Sequence, residues 1–492
     1  PAAAIDNSGG SYSQEKSLAA EPAADFTNMI DFRDNEEYTH YDIDGFKKAS
    51  DTPLSTFSAD VDTASFANVR RMARDNRVIR EDAVRIEEFL NYFDYNYAQP
   101  KKGTFSLTYE YTDCPWNSNA KLLMMGIQTK EPETEPSSNL VFLIDVSGSM
   151  YSKDKLPLVV DSLKKLSREM TKDDRISVVT YSGKEKVIVS GAYGNMKNCI
   201  ADLCDTLVAY GCTNGERGIN MAYEIAAENF IKDGNNRVIM ATDGDLNVGI
   251  SDKDDLSAFI AGKRESGVYL SILGFGTGNL KDDRMEALAK EGNGNFSYID
   301  CAEEATKVLV EERVKNLVTV ADDTKIQVEF NPTLVNSYRL IGYDGRKLNN
   351  EDFANDAKDA ADMGAGQSIT VMYEIIPASG AANTLTYQTA TGNTTDLCKV
   401  RIRFKKPGET KSKQSVFTLK KSEYLKYSET GIRFRFASCV AKAAMSLRSD
   451  DRYGDVSLDN ARARFEKLNE KELEKIGYSG EFADLLEMLK KQ

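Results

Sequence analysis

Residues 139–150, Asn-Leu-Val-Phe-Leu-Ile-Asp-Val-Ser-Gly-Ser-Met, decide the fold. The apolar run from Leu140 to Ile144 is too short and too β-branched for a helix, and it predicts a buried parallel strand. It stops at Asp145-x-Ser147-x-Ser149, followed by a lysine-rich segment and an amphipathic helix. In an open α/β sheet, ligands bind where loops leave the carboxyl ends of the strands. One carboxylate and two hydroxyls are therefore expected together on that rim. All three are hard oxygen donors, which suit Mg²⁺, Ca²⁺ or Mn²⁺ better than zinc.

Outward from this stretch, strands are predicted at 139–145, 175–182, 185–190, 236–242, 268–275 and 295–299. Helices are predicted at 156–170, 196–208, 215–230, 253–265, 281–291 and 302–318. In the first helix Val159, Leu163, Leu166 and Met170 form one apolar stripe. Strict alternation of this kind implies an α/β domain with a mostly parallel, doubly wound sheet. Pro132 and Pro136 mark a linker before it.

On either side the hydrophobic period changes to two. Residues 104–130 alternate around the sole tryptophan, Trp116, and strands recur at Lys325–Phe330, Tyr338–Ile341, Ile369–Ile376 and Lys399–Phe404. Neither group has enough strands to bury both faces alone, so together they predict one β-sandwich-like domain into which the α/β domain is inserted. Cys114 and Cys398 then lie near strand ends of the same unit, and an excised 137–318 fragment is expected to fold by itself. The expected division is a flexible tether at 1–45, a helical segment at 46–100, sandwich strands at 101–136, the α/β domain at 137–318, further sandwich strands at 319–420 and a helical segment at 421–492. Asp60 and Asp62 invite a metal reading. The stronger expectation is that Asp62 or Thr63 caps a helix carrying Phe66, Val69 and Met72. A second helix carries Ile86, Phe89, Leu90 and Phe93, and the tail carries Phe436, Val440, Ala443 and Leu447 on one face.

Composition narrows the function classes. A net charge of −14 and a pI near 5.0 argue against binding nucleic acid or lipid surfaces through charge. No apolar run approaches the roughly 18–20 residues that span a bilayer. The single histidine, His40, sits in a polar stretch, which removes most Ser-His, Cys-His and His-zinc chemistries. Seven cysteines (114, 199, 204, 212, 301, 398, 439) form no C-x-x-C pair, and the odd count leaves at least one thiol free. The chain starts with Pro1 and a polar stretch, as a mature envelope protein does after signal removal and as a trimmed chain also does.

Two further segments should reach the same rim. Gly211-Cys-Thr213-Asn-Gly215 opens a helix, and the strand from Asn236 ends in Asp243-Gly-Asp245. Asp145, Ser147, Ser149, Thr213 and Asp243 then meet above adjacent strand ends, ringed by the acidic Asp245 and Glu216. Thr213 alone would read as a helix cap and Asp243 alone as a turn residue. Their joint order favours a metal site. Direct ligation by Asp145 and neutral hydroxyls, with Asp243 acting through water, leaves a divalent ion underneutralised and seeking an anionic oxygen. Hydrolysis would need a general base or second metal, for which the sequence offers no obvious candidate. Gly274-Phe-Gly-Thr-Gly misses the dinucleotide spacing and reads as a rim turn.

These segments resemble the von Willebrand factor A domain, whose metal-ion-dependent adhesion site pairs Asp-x-Ser-x-Ser with a distant Thr and a distant Asp. Asp145, Ser147, Ser149, Thr213 and Asp243 occupy those positions. Further segments extend the likeness across roughly residues 50–490: Ser-Ala-Asp-Val-Asp-Thr-Ala-Ser-Phe, Pro115-Trp-Asn, Ala241-Thr-Asp-Gly-Asp, Val328-Glu-Phe-Asn-Pro, Tyr338-Arg-Leu-Ile-Gly-Tyr and Gly364-Ala-Gly. Together they resemble the bacterial envelope family typified by YfbK, with its N-terminal segment and its C-terminal domain of unknown function. The resemblance implies a non-enzymatic, adhesion-type binding protein of the cell envelope, probed by its metal: Mg²⁺ first, with Mn²⁺ or Ca²⁺ as alternatives. Its partner would be a protein presenting Asp or Glu, with no nucleic acid. A lipidated cysteine upstream of Pro1 would make it a lipoprotein. The alternatives are an envelope assembly scaffold or chaperone-like recruiter and, behind both, a metal-dependent hydrolase.

Overall fold

A computed structural model describes residues 35–59, 62–211, 215–244, 253–278, 280–378 and 395–491, with the backbone alone for 253–257. Strands β1 (Lys47–Lys48) and β2 (Leu54–Ser58) lead to helices α1 (Ala64–Arg74) and α2 (Ile86–Asn91), then to β3 (Phe105–Asp113) and β4 (Lys121–Thr129). The alternating stretch follows: β5 (Ser138–Asp145), α3 (Leu156–Glu169), β6 (Arg175–Tyr181), β7 (Lys186–Tyr193), α4 (Lys197–Cys204), α5 (Glu216–Glu228), β8 (Asn235–Thr242), α6 (Lys253–Arg264), β9 (Tyr269–Phe275), α7 (Asp282–Glu291) and β10 (Phe296–Ile299). The predicted helix at 302–318 is broken into α8 (Ala302–Thr306), a π-helical turn (Lys307–Glu311) and α9 (Arg313–Leu317). Strands β11 (Thr319–Phe330), β12 (Val335–Ile341), β13 (Met363–Gly364), β14 (Ser368–Pro377), β15 (Asp396–Lys405) and β16 (Lys413–Lys420) come next. The tail holds α10 (Ile432–Leu447), α11 (Leu458–Phe465), α12 (Glu470–Leu473) and α13 (Ser479–Lys490). No helix among the described residues is long and apolar enough to cross a membrane.

The α/β sheet runs β10-β9-β8-β5-β6-β7, parallel except for the edge strand β7. Side chains on β5 alternate between two cores, as a central strand covered on both faces requires. Leu140, Phe142 and Ile144 pack with Val159, Leu163 and Leu166 of α3, whereas Val141 and Leu143 pack with Ile219 and Ala222 of α5. The second core also takes Ala64 and Ala67 of α1, a helix from outside the alternating stretch.

The remaining strands make two facing sheets. One is β1-β12-β14-β4-β3; the other is β13-β11-β15-β16, with β2 also paired to β11. The antiparallel pairing of β4 with β14, from Ile127 opposite Ile369 to Lys121 opposite Ile375, joins the segment before the α/β domain to one far beyond it. β4 also alternates. Leu123, Met125 and Ile127 enter the core between the sheets, while Leu122 and Met124 face a helical layer with Phe89, Phe93, Phe436 and Val440. A layer of helices thus covers the outer face of a two-sheet sandwich.

Several expectations change. Residues 35–45 do not behave as a tether. Glu36 is buried against Arg71, with guanidinium–carboxylate distances of 2.9 and 2.8 Å, and its Oε1 also accepts from Gly278 N at 2.9 Å. Thr63 sits at the N-cap of α1 without a side-chain cap hydrogen bond. Asp62 Oδ1 accepts from Phe296 N at 3.0 Å, stitching the loop before α1 to β10; Asp60 lies outside the described residues. Cys114 faces the helical core and Cys398 the sandwich core, so the sheet separates them, and both are free thiols.

Buried arginines fasten the α/β domain to its surroundings. Arg85 Nη1 reaches Asp282 Oδ2 of α7 at 2.5 Å while pairing with Glu88. Arg70 binds Asp300 and, at 2.8 Å, Glu304. Arg346, beyond β12, reaches Glu286 of α7 at 2.5 Å. An excised 137–318 fragment therefore keeps its strands but leaves these carboxylates without their arginines. Removing one partner of a buried ion pair strands the other charge, at a cost of about 3–5 kcal/mol. Arg85→Met should lower stability by that amount in urea unfolding, and a midpoint equal to that of wild type would count against the junction as a fastening.

Glu36 adds a pH signature. Burial raises its carboxyl pKa, but hydrogen bonding and charge from Arg71 outweigh this, leaving it below its ordinary 4.5. A depressed carboxyl contributes stability that is present above its unfolded value and is lost as pH falls through the folded one. The thermal midpoint should therefore fall on acidification below about pH 4.5, and Glu36→Gln should flatten that limb. An unchanged acid limb would refute the assignment.

Candidate metal centre

Asp145 is the last residue of β5, at the carboxyl end of the sheet, and is fully buried. Its Oδ1 accepts the amide of Ser147 at 2.8 Å, a bond that turns the chain sharply off the strand. Two residues on, the hydroxyls of Ser147 and Ser149 lie 3.0 Å apart, with Ser147 buried and Ser149 exposed. The loop carrying them is tied to its neighbours by backbone bonds: Val146 N to Tyr181 O at 3.0 Å, Tyr210 N to Val146 O at 2.6 Å, and Gly148 N to Gly211 O at 3.0 Å. The segment leading to Thr213 is thus drawn to the Asp-x-Ser-x-Ser loop. Thr213 itself and Asp245 lie outside the described residues.

β8, hydrogen-bonded beside β5, ends at Thr242, and Asp243 follows, also buried. Thr242 Oγ1 lies 3.5 Å from Asp145 Oδ2 and accepts Gly244 N at 3.2 Å. Gly244 sits at φ +96°, in the left-handed region, in the bend that follows the strand end. Asp145, Ser147, Ser149 and Asp243 are therefore brought to one rim.

Burial pushes the Asp145 carboxyl up to about 6; hydrogen bonds from Ser147 oppose this, and the charge of Asp243 adds to it. The charge of Asp243 beside the buried Asp145 gives this rim a negative character that suits a cation. Among the described residues no cluster of three or more histidine, cysteine, aspartate or glutamate side chains is positioned to hold a metal. The chemistry available here is instead mixed: Asp145 and the serine hydroxyls as hard oxygen ligands, and Asp243 as a second negative charge. That donor set fits a hard divalent ion.

One residue escaped sequence reasoning. Lys155 Nζ lies 2.8 Å from Asp243 Oδ2, with both side chains buried. Lys155 occupies the position before the first turn of α3, where Ser, Thr, Asp or Asn is usual. That departure is the only sequence cue, since ion pairs leave no periodicity. The Gly274–Gly278 loop is a rim turn as expected: Gly278 receives the N-terminal segment through Glu36, and Gly276, at φ +76°, lies against the Lys155 side chain. The sole histidine is remote from this chemistry, exposed and 2.7 Å from Asp82 Oδ1.

Comparison with known proteins places the chain in a family. A von Willebrand factor profile matches residues 32–124, the von Willebrand factor type A domain matches 139–312, and the profile described as uncharacterized protein YfbK, C-terminal, matches 315–491. The uncharacterized protein YfbK of Escherichia coli (strain K12) is 39% identical over 468 residues, covering 92% of this chain and 80% of that protein. Bovine inter-alpha-trypsin inhibitor heavy chain H3 is 28% identical over 207 residues, 39% of this chain and 23% of that one. Among solved structures, a von Willebrand factor type A protein from Catenulispora acidiphila covers 71% of this chain and 81% of its own, at 14% identity and a TM-score of 0.43. On the strength of the E. coli relative and the profile matches to the inserted domain and to the segment after it, the chain belongs to the YfbK-like family of von Willebrand factor type A domain proteins.

Proposed function

We propose that this protein is a non-enzymatic binding protein of the bacterial cell envelope that engages an acidic side chain of a protein partner through a divalent cation. The observation that carries this reading is the buried Asp145 carboxylate sharing one rim with the Ser147–Ser149 hydroxyl pair and Asp243. Asp145, Ser147 and Ser149 would hold the ion, most simply Mg²⁺, with Mn²⁺ or Ca²⁺ as substitutes; Asp243 would act from the next shell, and Thr213 is the remaining expected ligand. When bound, the ion supplies a Lewis-acidic site for a carboxylate oxygen. Envelope placement and an N-terminal lipid anchor rest on the family resemblance.

Asp145 is the one carboxylate expected in direct contact with the ion, while β5 is held by the apolar residues on both its faces. Asp145→Ala should therefore abolish calorimetric Mg²⁺ or Mn²⁺ binding and leave the circular dichroism spectrum unchanged. Equal binding by variant and wild type would remove Asp145 from the site.

The binding reading has its own test. Without the cation, an incoming carboxylate meets Asp145 and Asp243 as like charge. Loss of a central charge-assisted contact costs ~2–5 kcal/mol, about 30-fold to several thousand-fold in affinity. Capture from envelope extract should therefore lose its partner in EDTA and with Thr213→Ala. A partner set that is the same under all three conditions would sink the metal-bridged reading in favour of an assembly scaffold that recruits through another surface.

A further inference from the structure

Lys155 is held from both ends. Its backbone amide donates to Ser152 O at 3.0 Å, and its carbonyl accepts Val159 N at 2.9 Å in the first turn of α3. Its side chain then crosses Gly276 to place Nζ 2.8 Å from Asp243 Oδ2. A Cβ at Gly276 would come within 2.2 Å of Lys155 Cε and 2.4 Å of Cγ, so the glycine reserves the path of the lysine. The Lys155 side chain is 10% exposed and that of Asp243 is fully buried. This is a built contact, since a surface lysine reaching in by chance would need no reserved path.

We propose that Lys155 is a positioning and charge-setting residue that makes the cation and the acidic ligand bind cooperatively, an inference that rests on the metal-site reading above. The argument is a charge balance. Counting the buried charges alone, Asp145 and Asp243 carry two negative charges, and the Lys155 ammonium cancels one. A divalent ion entering this set leaves one positive charge in excess, and the carboxylate of a partner neutralises it. With a neutral residue at 155, the ion alone balances the two aspartates and an incoming carboxylate adds an uncompensated negative charge. Lys155 therefore weakens the ion by itself and strengthens the ion and ligand together. Coupling of this kind is reciprocal, so an acidic ligand must raise the affinity for the ion by the factor by which the ion raises the affinity for the ligand. Lys155 also fixes one oxygen of Asp243, which orients the carboxylate towards the rim.

The test uses the full chain, Mn²⁺ as the ion and acetate as the carboxylate probe. Free Mn²⁺ is counted by electron paramagnetic resonance, with and without acetate, for wild type, Lys155→Gln and Lys155→Arg. The glutamine keeps a donor for Asp243 and loses the charge; the arginine keeps the charge. Lys155→Gln should bind Mn²⁺ about tenfold more tightly or better, because a nearby like charge has gone. Acetate should raise Mn²⁺ affinity in wild type and Lys155→Arg and fail to do so in Lys155→Gln. Should the glutamine variant not fold, Gly276→Ala, which forces the lysine off its path, should also raise Mn²⁺ affinity. Unchanged Mn²⁺ affinity in a folded Lys155→Gln, or an equal acetate effect in all three proteins, overturns the proposal while leaving the metal site standing. Absence of Mn²⁺ binding in wild type overturns the site reading and this inference with it.

Discussion

The buried ion pairs between arginines outside the inserted α/β domain and carboxylates within it are the interaction on which the arrangement depends. An inserted domain is tethered by two chain crossings, and tethers alone set no orientation. Here Arg85 on Asp282, Arg70 on Asp300 and Glu304, and Arg346 on Glu286 hold the edge of the domain nearest β10. Because these charges are buried, each is costly to leave unmatched, so alternative placements of the domain are penalised more than the ion pairs themselves stabilise. Phe66, Tyr92 and Phe93 pack against one another beside this network, and Arg70 stacks over the first two rings. Helix α1 thus serves two cores at once: Ala64 and Ala67 belong to the α/β domain, while Phe66 and Val69 belong to the helical layer over the sandwich.

What could be read from the sequence follows from which contacts are periodic. β5 announced itself because a strand covered on both faces is apolar at every position, and α3 because its stripe repeats at helical spacing. The inserted topology was legible for the same reason, since strands too few to close a sandwich must find partners across the insertion. Glu36 was illegible: it is one carboxylate in a polar stretch, and nothing local distinguishes a buried partner of Arg71 from a solvated residue. The tertiary role of Asp62 was equally hidden: its carboxylate accepts from Phe296 N of β10, a contact with no local pattern. The π-helical turn at Lys307–Glu311 was hidden because its local preferences are those of an ordinary helix. The Lys307 ammonium there donates to Tyr92 O at 2.9 Å and sits over the Tyr92 ring, contacts that only the folded chain provides.

The candidate site divides along the same line. Asp145, Ser147 and Ser149 are local in sequence, so their conjunction is visible in a single motif. Asp243 joins them through strand order, which the alternating pattern also predicts. Lys155 belongs to the site through an ion pair with a residue 88 positions away, and such pairs have no spacing rule.

Gly276 and Gly278 connect these scales. One loop of three residues makes room for Lys155 on its way to Asp243 and, through Gly278, donates to Glu36, which Arg71 of α1 holds in place. Both glycines have positive φ, a conformation that side-chain-bearing residues adopt only at a cost, so the shape of the loop is demanded from both sides. The hydroxyl of Tyr298 on β10 donates to Gly276 O at 2.6 Å and fixes the loop from beneath. The lysine that sets the charge of the site therefore rests on a turn whose geometry is supported by the N-terminal segment and by the edge strand at the junction. A change at the junction that shifts this turn would reach Asp243 through Lys155, whereas the anchors of the Asp-x-Ser-x-Ser loop at Tyr181 and Gly211 lie on the other side of β5. The two carboxylates of the site thus have separate mechanical supports, one from the strand that carries Asp145 and one from the contacts that fasten the domain to the rest of the chain.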